Sequence, residues 1–206
     1  FSGNLREKEV VEMIKQSKIS VRHLVEFILR RGSIDNRKKS NHTALEGARI
    51  HRKLQKDAGE NYEKEVFLKT TVPLDEYHLI VEGRADGIFK RDGIYYIDEI
   101  KTSEPRFEDL EPEQVELFFH QARVYAYIYS QEHDLQEINL QLTYFQTAEE
   151  VITRKVEHQT REQLETFFKK LTEDYKEWLV FQENWRTVRN CLLYTSPSPR
   201  DQRGSR

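Results

Sequence analysis

The sequence predicts an α/β fold in which a central mixed β-sheet is flanked by helices. Three observations point there. Helix-periodic stretches open the chain, three runs rich in Val, Ile, Phe and Tyr follow in quick succession, and a long apolar helix then leads into another alternating pair. At 206 residues with 37% hydrophobic content, the chain can bury one core, so a single domain over residues 1–190 is expected.

The elements follow in order. A first helix is expected over residues 5–16. Ser20 ahead of VRHLVEFILRR, with Gly32 after it, reads as a second, capped helix. Residues 33–42, rich in Ser, Lys and Asn, form a loop. Thr43 and Glu46 then have capping-box spacing for a helix running to about Asp57. Strands are expected over 62–72, 77–90 and 94–102, punctuated by Pro73 and by Asp92-Gly93. A loop with Pro105 and Pro112 leads to a helix over 113–132. That helix is apolar almost all round, which predicts burial. Residues 137–146 and 150–157 alternate as a hairpin, and 160–183 form an amphipathic closing helix.

Composition narrows the function classes. Formal charge is −3; residues 191–206 hold three arginines and one aspartate, a surplus of two positive charges, so the rest carries −5. An acidic body argues against bulk wrapping of nucleic acid, whose nonspecific affinity comes from basic residues, so any DNA contact must be local or metal-mediated. No stretch approaches the roughly 18 apolar residues of a membrane span, and no signal-peptide pattern opens the chain; a cytoplasmic location without membrane contact is expected. Cys191 is the single cysteine, which excludes an internal disulfide and a cysteine-held zinc or iron–sulfur centre built by this chain alone. From Cys191 the text changes to CLLYTSPSPRDQRGSR, which resembles translated adapter sequence, and 191–206 are read as a non-native tail.

The most informative stretch is Val81 to Ser103. Asp92-Gly93 suits a two-residue hairpin loop, because both central positions must accept positive φ. With that loop Arg91 pairs with Ile94, and Asp86 falls opposite Glu99. Opposed residues have Cβ atoms about 4.5–5.5 Å apart, where like charges repel unless something positive lies between them. A divalent cation would relieve the repulsion. Alternation puts Lys101 on the face of Glu99 and turns Asp98 to the other side, so Glu99 is the candidate and Asp98 is not. Ile88 opposite Ile97 shares the acids' face.

Two helices supply further candidates. Gly47, Ile50, His51 and Leu54 make an inward stripe. A histidine there is either a satisfied core residue or, beside two carboxylates, a third metal ligand. Gln121 and Tyr125 sit one turn apart on the buried helix. There the glutamine must find partners, whether backbone, a phosphate or the site acids. His120 is turned about a hundred degrees away. Glu65 is either a buttress of the site or an exposed strand acid.

Together these residues resemble the PD-(D/E)XK nuclease superfamily, in its RecB-like branch. Gly47 with His51 is similar to the first helical motif, Gly83-Arg84-Ala85-Asp86-Gly87 to the metal-binding aspartate strand, Glu99-Ile100-Lys101-Thr102 to the acid-x-lysine strand, and Gln121 to Tyr125 to the glutamine-x3-tyrosine helix. The resemblance implies a restriction-endonuclease-like core and a Mg2+- or Mn2+-dependent deoxyribonuclease. Asp86, Glu99, the Ile100 carbonyl and His51 would hold the ion, Lys101 would serve the attacking water, and Gln121 and Tyr125 would bind DNA, whether single-stranded or duplex ends. Residues 20–32 and 160–190 also resemble the nuclease-like domain that precedes an iron–sulfur-type helicase in some bacterial enzymes, which implies a helicase module in the same full-length chain. Unlike several relatives, this chain lacks the four cysteines of an iron–sulfur cluster. Two other readings stay open: a catalytically weak DNA-binding module attached to a helicase, and an interaction domain unrelated to DNA.

Overall fold

The computed structural model describes residues 15–32 and 44–195. Strand β1 (Lys15–Ser20) leads directly into helix α1 (Val21–Gly32), where Ser20 Oγ accepts the His23 N–H at 3.2 Å as the sequence predicts for an N-cap. Helix α2 (Ala44–Asp57) precedes β2 (Glu63–Leu74), β3 (Tyr77–Arg91) and β4 (Ile94–Ser103). Helix α3 (Pro112–Glu132) follows, then β5 (Glu137–Gln146), β6 (Val151–Thr160) and helix α4 (Arg161–Thr195). Among the described residues, no helix is long and apolar enough to cross a membrane.

The strands form one mixed sheet in the order β1-β3-β4-β5-β6, with β2 pairing β3 as well. β1 runs parallel to β3 and β4 parallel to β5; the other pairs are antiparallel. This bears out the expected central mixed sheet. Asp92 and Gly93 have φ of 51° and 85°, so the turn takes the predicted left-handed form and sets Arg91 against Ile94. Pro73 lies inside β2 instead of ending it. β2 pairs with β3 alone in the described sheet, and an edge strand tolerates a residue without an N–H.

Two expectations at the ends need correction. Residues 15 and 16, assigned to a first helix, are the start of β1; the remainder of that helix and the 33–42 loop lie outside the described residues. β1 is short and polar with only Ile19 fully buried, so pairing with β3 and not its own pattern makes it a strand. The closing helix, expected over 160–183, runs on to Thr195, because no Pro or Gly interrupts that stretch. Thr160 and Gln163 start α4 with a reciprocal capping box, the Gln163 N–H donating to Thr160 Oγ1 and the Thr160 N–H to Gln163 Oε1.

Helices α1, α3 and α4 pack on one another over one face of the sheet. Their core joins Val21, Leu24 and Val25 of α1, Val124 and Ile128 of α3 and Leu164, Phe168 and Leu171 of α4 to Leu79, Val81, Leu140 and Leu142 of the strands. α2 lies on the opposite face: Thr102, which alternates with Lys101, meets Gly47 of α2, whereas Lys101 meets α3. Helices thus cover both faces, as the element order predicts.

Candidate functional site

One edge of β3 is shared by two neighbours. β1 takes Tyr77 to Glu82 and β4 takes Gly87 to Arg91, while β2 follows the other edge from Tyr77 to Ile88, passing over Asp86. Residues 83–86 therefore face a gap where neither strand pairs. Beyond Asp98, β4 keeps only its other partner, β5, with which it pairs from Tyr96 to Ser103. The gap is where the candidate residues gather.

The expected pairing of Asp86 with Glu99 needs correction. The register has the predicted offset, but the ladder ends at Gly87 with Asp98, and the Ile100 N–H donates to Asp86 Oδ2 at 2.7 Å. The strands have parted, so a side chain takes the place of a backbone acceptor. Oδ1 of Asp86 lies 3.7 Å from His51 Nδ1. The β2–β3 pairing also skips Asp86: Lys64 pairs with Gly87 and Val66 with Ala85, while Glu65 between them has φ of 53°.

Glu99 faces α3. Lys101 Nζ lies 2.5 Å from Glu99 Oε1 and donates to Gln121 Oε1 at 3.1 Å, with Phe118 beneath it at 5.4 Å from the ring centroid. Glu99 is 4% exposed. Burial pushes its carboxyl up to about 7, against the pull of Lys101 and with added repulsion from Asp86. Desolvation wins although a full positive charge touches the carboxylate.

This gives Glu99 a defined effect on stability. The folded chain keeps the proton to higher pH than an unfolded carboxyl near 4.5, so protonation favours folding. The advantage is complete below about 4.5 and lost as pH rises through about 7. We expect the stability of metal-free wild type, relative to Glu99→Gln, to fall by on the order of 3 kcal/mol between pH 4.5 and 8. Denaturant unfolding at a series of pH values measures it, and a flat or rising difference would contradict the burial account.

Asp98 points away from these groups, as alternation requires. It accepts hydrogen bonds from Thr143 Oγ1 (2.7 Å), the Tyr62 hydroxyl (2.8 Å) and Gln141 Nε2 (3.1 Å). Burial raises its carboxyl and these three donors oppose the rise.

The second pair on α3 meets the gap as well. Gln121 and Tyr125 are both buried. Tyr125 presses on Gly83, where a Cβ would come within 2.6 Å of its hydroxyl oxygen, so glycine is needed for that approach. Burial raises the Tyr125 hydroxyl, and the nearby Glu99 and Asp86 add to the effect. His120 faces elsewhere, against Arg123, Glu116 and the edge of Phe167. His51, Asp86, Glu99, Ile100, Lys101, Gln121 and Tyr125 thus converge on one opening between β3 and β4.

A sequence model of the PD-(D/E)XK nuclease superfamily matches residues 5–192 of this chain. The chain belongs to that superfamily. A solved structure titled "Crystal structure of SSO0001" is similar at 17% identity, over 76% of this chain and 75% of that chain, with a TM-score of 0.48. No curated protein matches. Membership rests on the family model.

PD-(D/E)XK nucleases generally use divalent metals, and the donor types here suit one: two carboxylates, an imidazole and a strand backbone at a single opening. As placed, among the described residues no three His, Cys, Asp or Glu side chains enclose a cation. Glu99 is turned to Lys101, so a cation would have to share it.

Sequence reasoning missed Gln55 and Tyr62. Gln55 Nε2 donates to the Asp86 carbonyl at 2.9 Å and to Glu65 Oε1 at 3.0 Å. Its signal was present, since Gly47, His51 and Gln55 follow at steps of four on the stripe facing the sheet. Glu65 is exposed and accepts from Gln55, so both of its readings, buttress and exposed strand acid, stay open. Tyr62, in the approach to β2, carries no such periodic mark.

Proposed function

We propose that this chain is a Mg2+- or Mn2+-dependent deoxyribonuclease of the RecB-like branch, hydrolysing phosphodiester bonds within a larger helicase–nuclease of DNA repair or recombination. The single observation that carries this is the parting of β3 and β4 at Asp86, with Glu99, Lys101 and Gln121 linked on the departing strand and the helix facing it. Asp86, Glu99, the Ile100 carbonyl and His51 would hold the ion. When bound, it would polarise the phosphate and favour deprotonation of water. Lys101 balances the charge of Glu99 and, with Gln121 as its second partner, is held where it can orient the attacking water and offset negative charge on the phosphate. Gln121 and Tyr125 position the scissile strand at the opening. None of these groups is arranged to read base edges, so cleavage should depend on strand ends or structure and not on sequence.

A second reading, a weakly catalytic DNA-binding module, draws support from the closure of Lys101 on Glu99. Cleavage of labelled single-stranded and duplex DNA with Mg2+ or Mn2+, beside Asp86→Ala, separates the two. The nuclease reading expects metal-dependent cutting that falls at least about 10²-fold in the variant. DNA binding without cutting under either ion would favour the module.

A further inference from the structure

We propose that Gln55 is a positioning residue of this site, its side-chain amide replacing the sheet hydrogen bond that Asp86 lacks and so determining where the Asp86 carboxylate points. Its purpose rests on the nuclease reading above, but its geometry does not.

Asp86 is left out of both ladders: β2 pairs on either side of it and β4 stops one residue short. A carbonyl turned away from water without a donor is costly, and at this part-buried position Gln55 Nε2 supplies one at 2.9 Å. The same amide reaches Glu65 Oε1 at 3.0 Å, on the strand across from Asp86. Gln55 spans the break at the point where β2 and β3 do not pair with each other. It is 4% exposed, so little water is available to take its place.

The chemistry requires a nitrogen with two N–H groups, which the glutamine amide supplies without adding a charge. Two acceptors, a carbonyl and a carboxylate, need two N–H groups on one nitrogen; glutamate or methionine fills the space without donating. Asparagine is a methylene shorter. Gln55 also follows His51 by one turn on α2, so the bond that holds the Asp86 main chain docks the helix that brings His51 to 3.7 Å from Asp86 Oδ1. On the far side the carboxylate is held by the Ile100 N–H. Main chain and side chain of Asp86 are therefore held by two different elements, α2 and β4, and loosening one hold should loosen the other.

A charge swap separates positioning from simple bracing. Gln55→Glu with Glu65→Gln restores an amide–carboxylate bond between the helix and β2 but leaves the Asp86 carbonyl without its donor. Hydrogen exchange of the Ile100 amide, followed by NMR on metal-free protein, reports the Ile100–Asp86 bond directly. We expect about tenfold faster exchange at Ile100 in the swap, matching the loss of one hydrogen bond, with β5–β6 amides unchanged. Glu65→Gln alone should stay within about twofold of wild type, since both acceptors remain. Wild-type exchange at Ile100 in the swap would overturn the positioning role. Calorimetric titration of Mn2+ into the same proteins addresses the nuclease reading separately. About tenfold weaker binding in the swap supports both, whereas no heat from wild type combined with accelerated Ile100 exchange would remove the nuclease reading and leave Gln55's role standing.

Discussion

DNA cleavage by Lys101→Met is expected to fall by about 10²–10³-fold, the range found when one preorganised electrostatic donor is removed from an active site. Methionine keeps the unbranched shape and can still lie on Phe118, so packing is largely preserved. What disappears is the ammonium that touches Glu99 and Gln121. Two effects then compound. On the proposed nuclease reading the phosphate would lose its positive neighbour, and Glu99, already raised to about 7 by burial, loses the charge that draws it down. More of it is protonated at neutral pH, and a protonated carboxyl is a poor ligand for a hard cation. Single-turnover cleavage at pH 7 and pH 9 distinguishes the contributions: partial recovery at pH 9 belongs to Glu99, and the deficit that persists belongs to Lys101 itself. A variant that cuts within tenfold of wild type at both values would mean that Lys101 is a structural counterion only.

Among the substitutions, a large loss of stability is expected from Gly87→Ala, about 2–3 kcal/mol. A Cβ at this position would lie 1.9 Å from Cζ and the hydroxyl oxygen of Tyr62, so the ring has to leave. With it goes the 2.8 Å hydrogen bond to Asp98, a buried acid whose carboxyl already lies above its ordinary value, together with the stacking of Tyr62 on Phe89. Neither Ala nor Gly is strained by the backbone here, since Gly87 is not in the left-handed region. The cost is therefore owed to Tyr62. A double-mutant cycle checks this by denaturant unfolding: in a Tyr62→Ala background the same glycine substitution should cost under about 0.5 kcal/mol. An undiminished cost there would place the damage in the strand pairing instead.

Gly87 matters twice, because it is both the last residue of β3 to pair with β4 before the split and the neighbour of Asp86. The Asp98 cluster, formed with Thr143 and Gln141 of β5, anchors the back of β4 as its front carries Glu99 and Lys101 past the opening. Buried polar groups satisfied this fully add rigidity to the strand that holds the site.

Much of this was legible in the residues. Asp92-Gly93 has one favoured use between two strand-like runs, and a two-residue loop sets the register of everything beside it. Period-two alternation then separates Glu99 from Asp98 without any knowledge of the rest of the chain. The four-residue steps of α2 and α3 put His51, Gln121 and Tyr125 on inward faces. These are local rules, acting over a few residues, and they need only the chain itself.

The tertiary structure decided where the hairpin comes apart. The hairpin rule continues the ladder to Asp86 and Glu99, but the β3–β4 pairing stops at Gly87 with Asp98 while β4 runs on beside β5. The polar run at Lys15 becomes a strand only because β3 offers it an edge. Glu65 takes a left-handed φ, and Gln55 reaches across to Asp86, only once helix and sheet are packed. Each of these outcomes depends on hydrogen bonds between segments that only the assembled fold brings together. Periodicity names the groups that need a partner, but the assembled fold determines which partner each one gets.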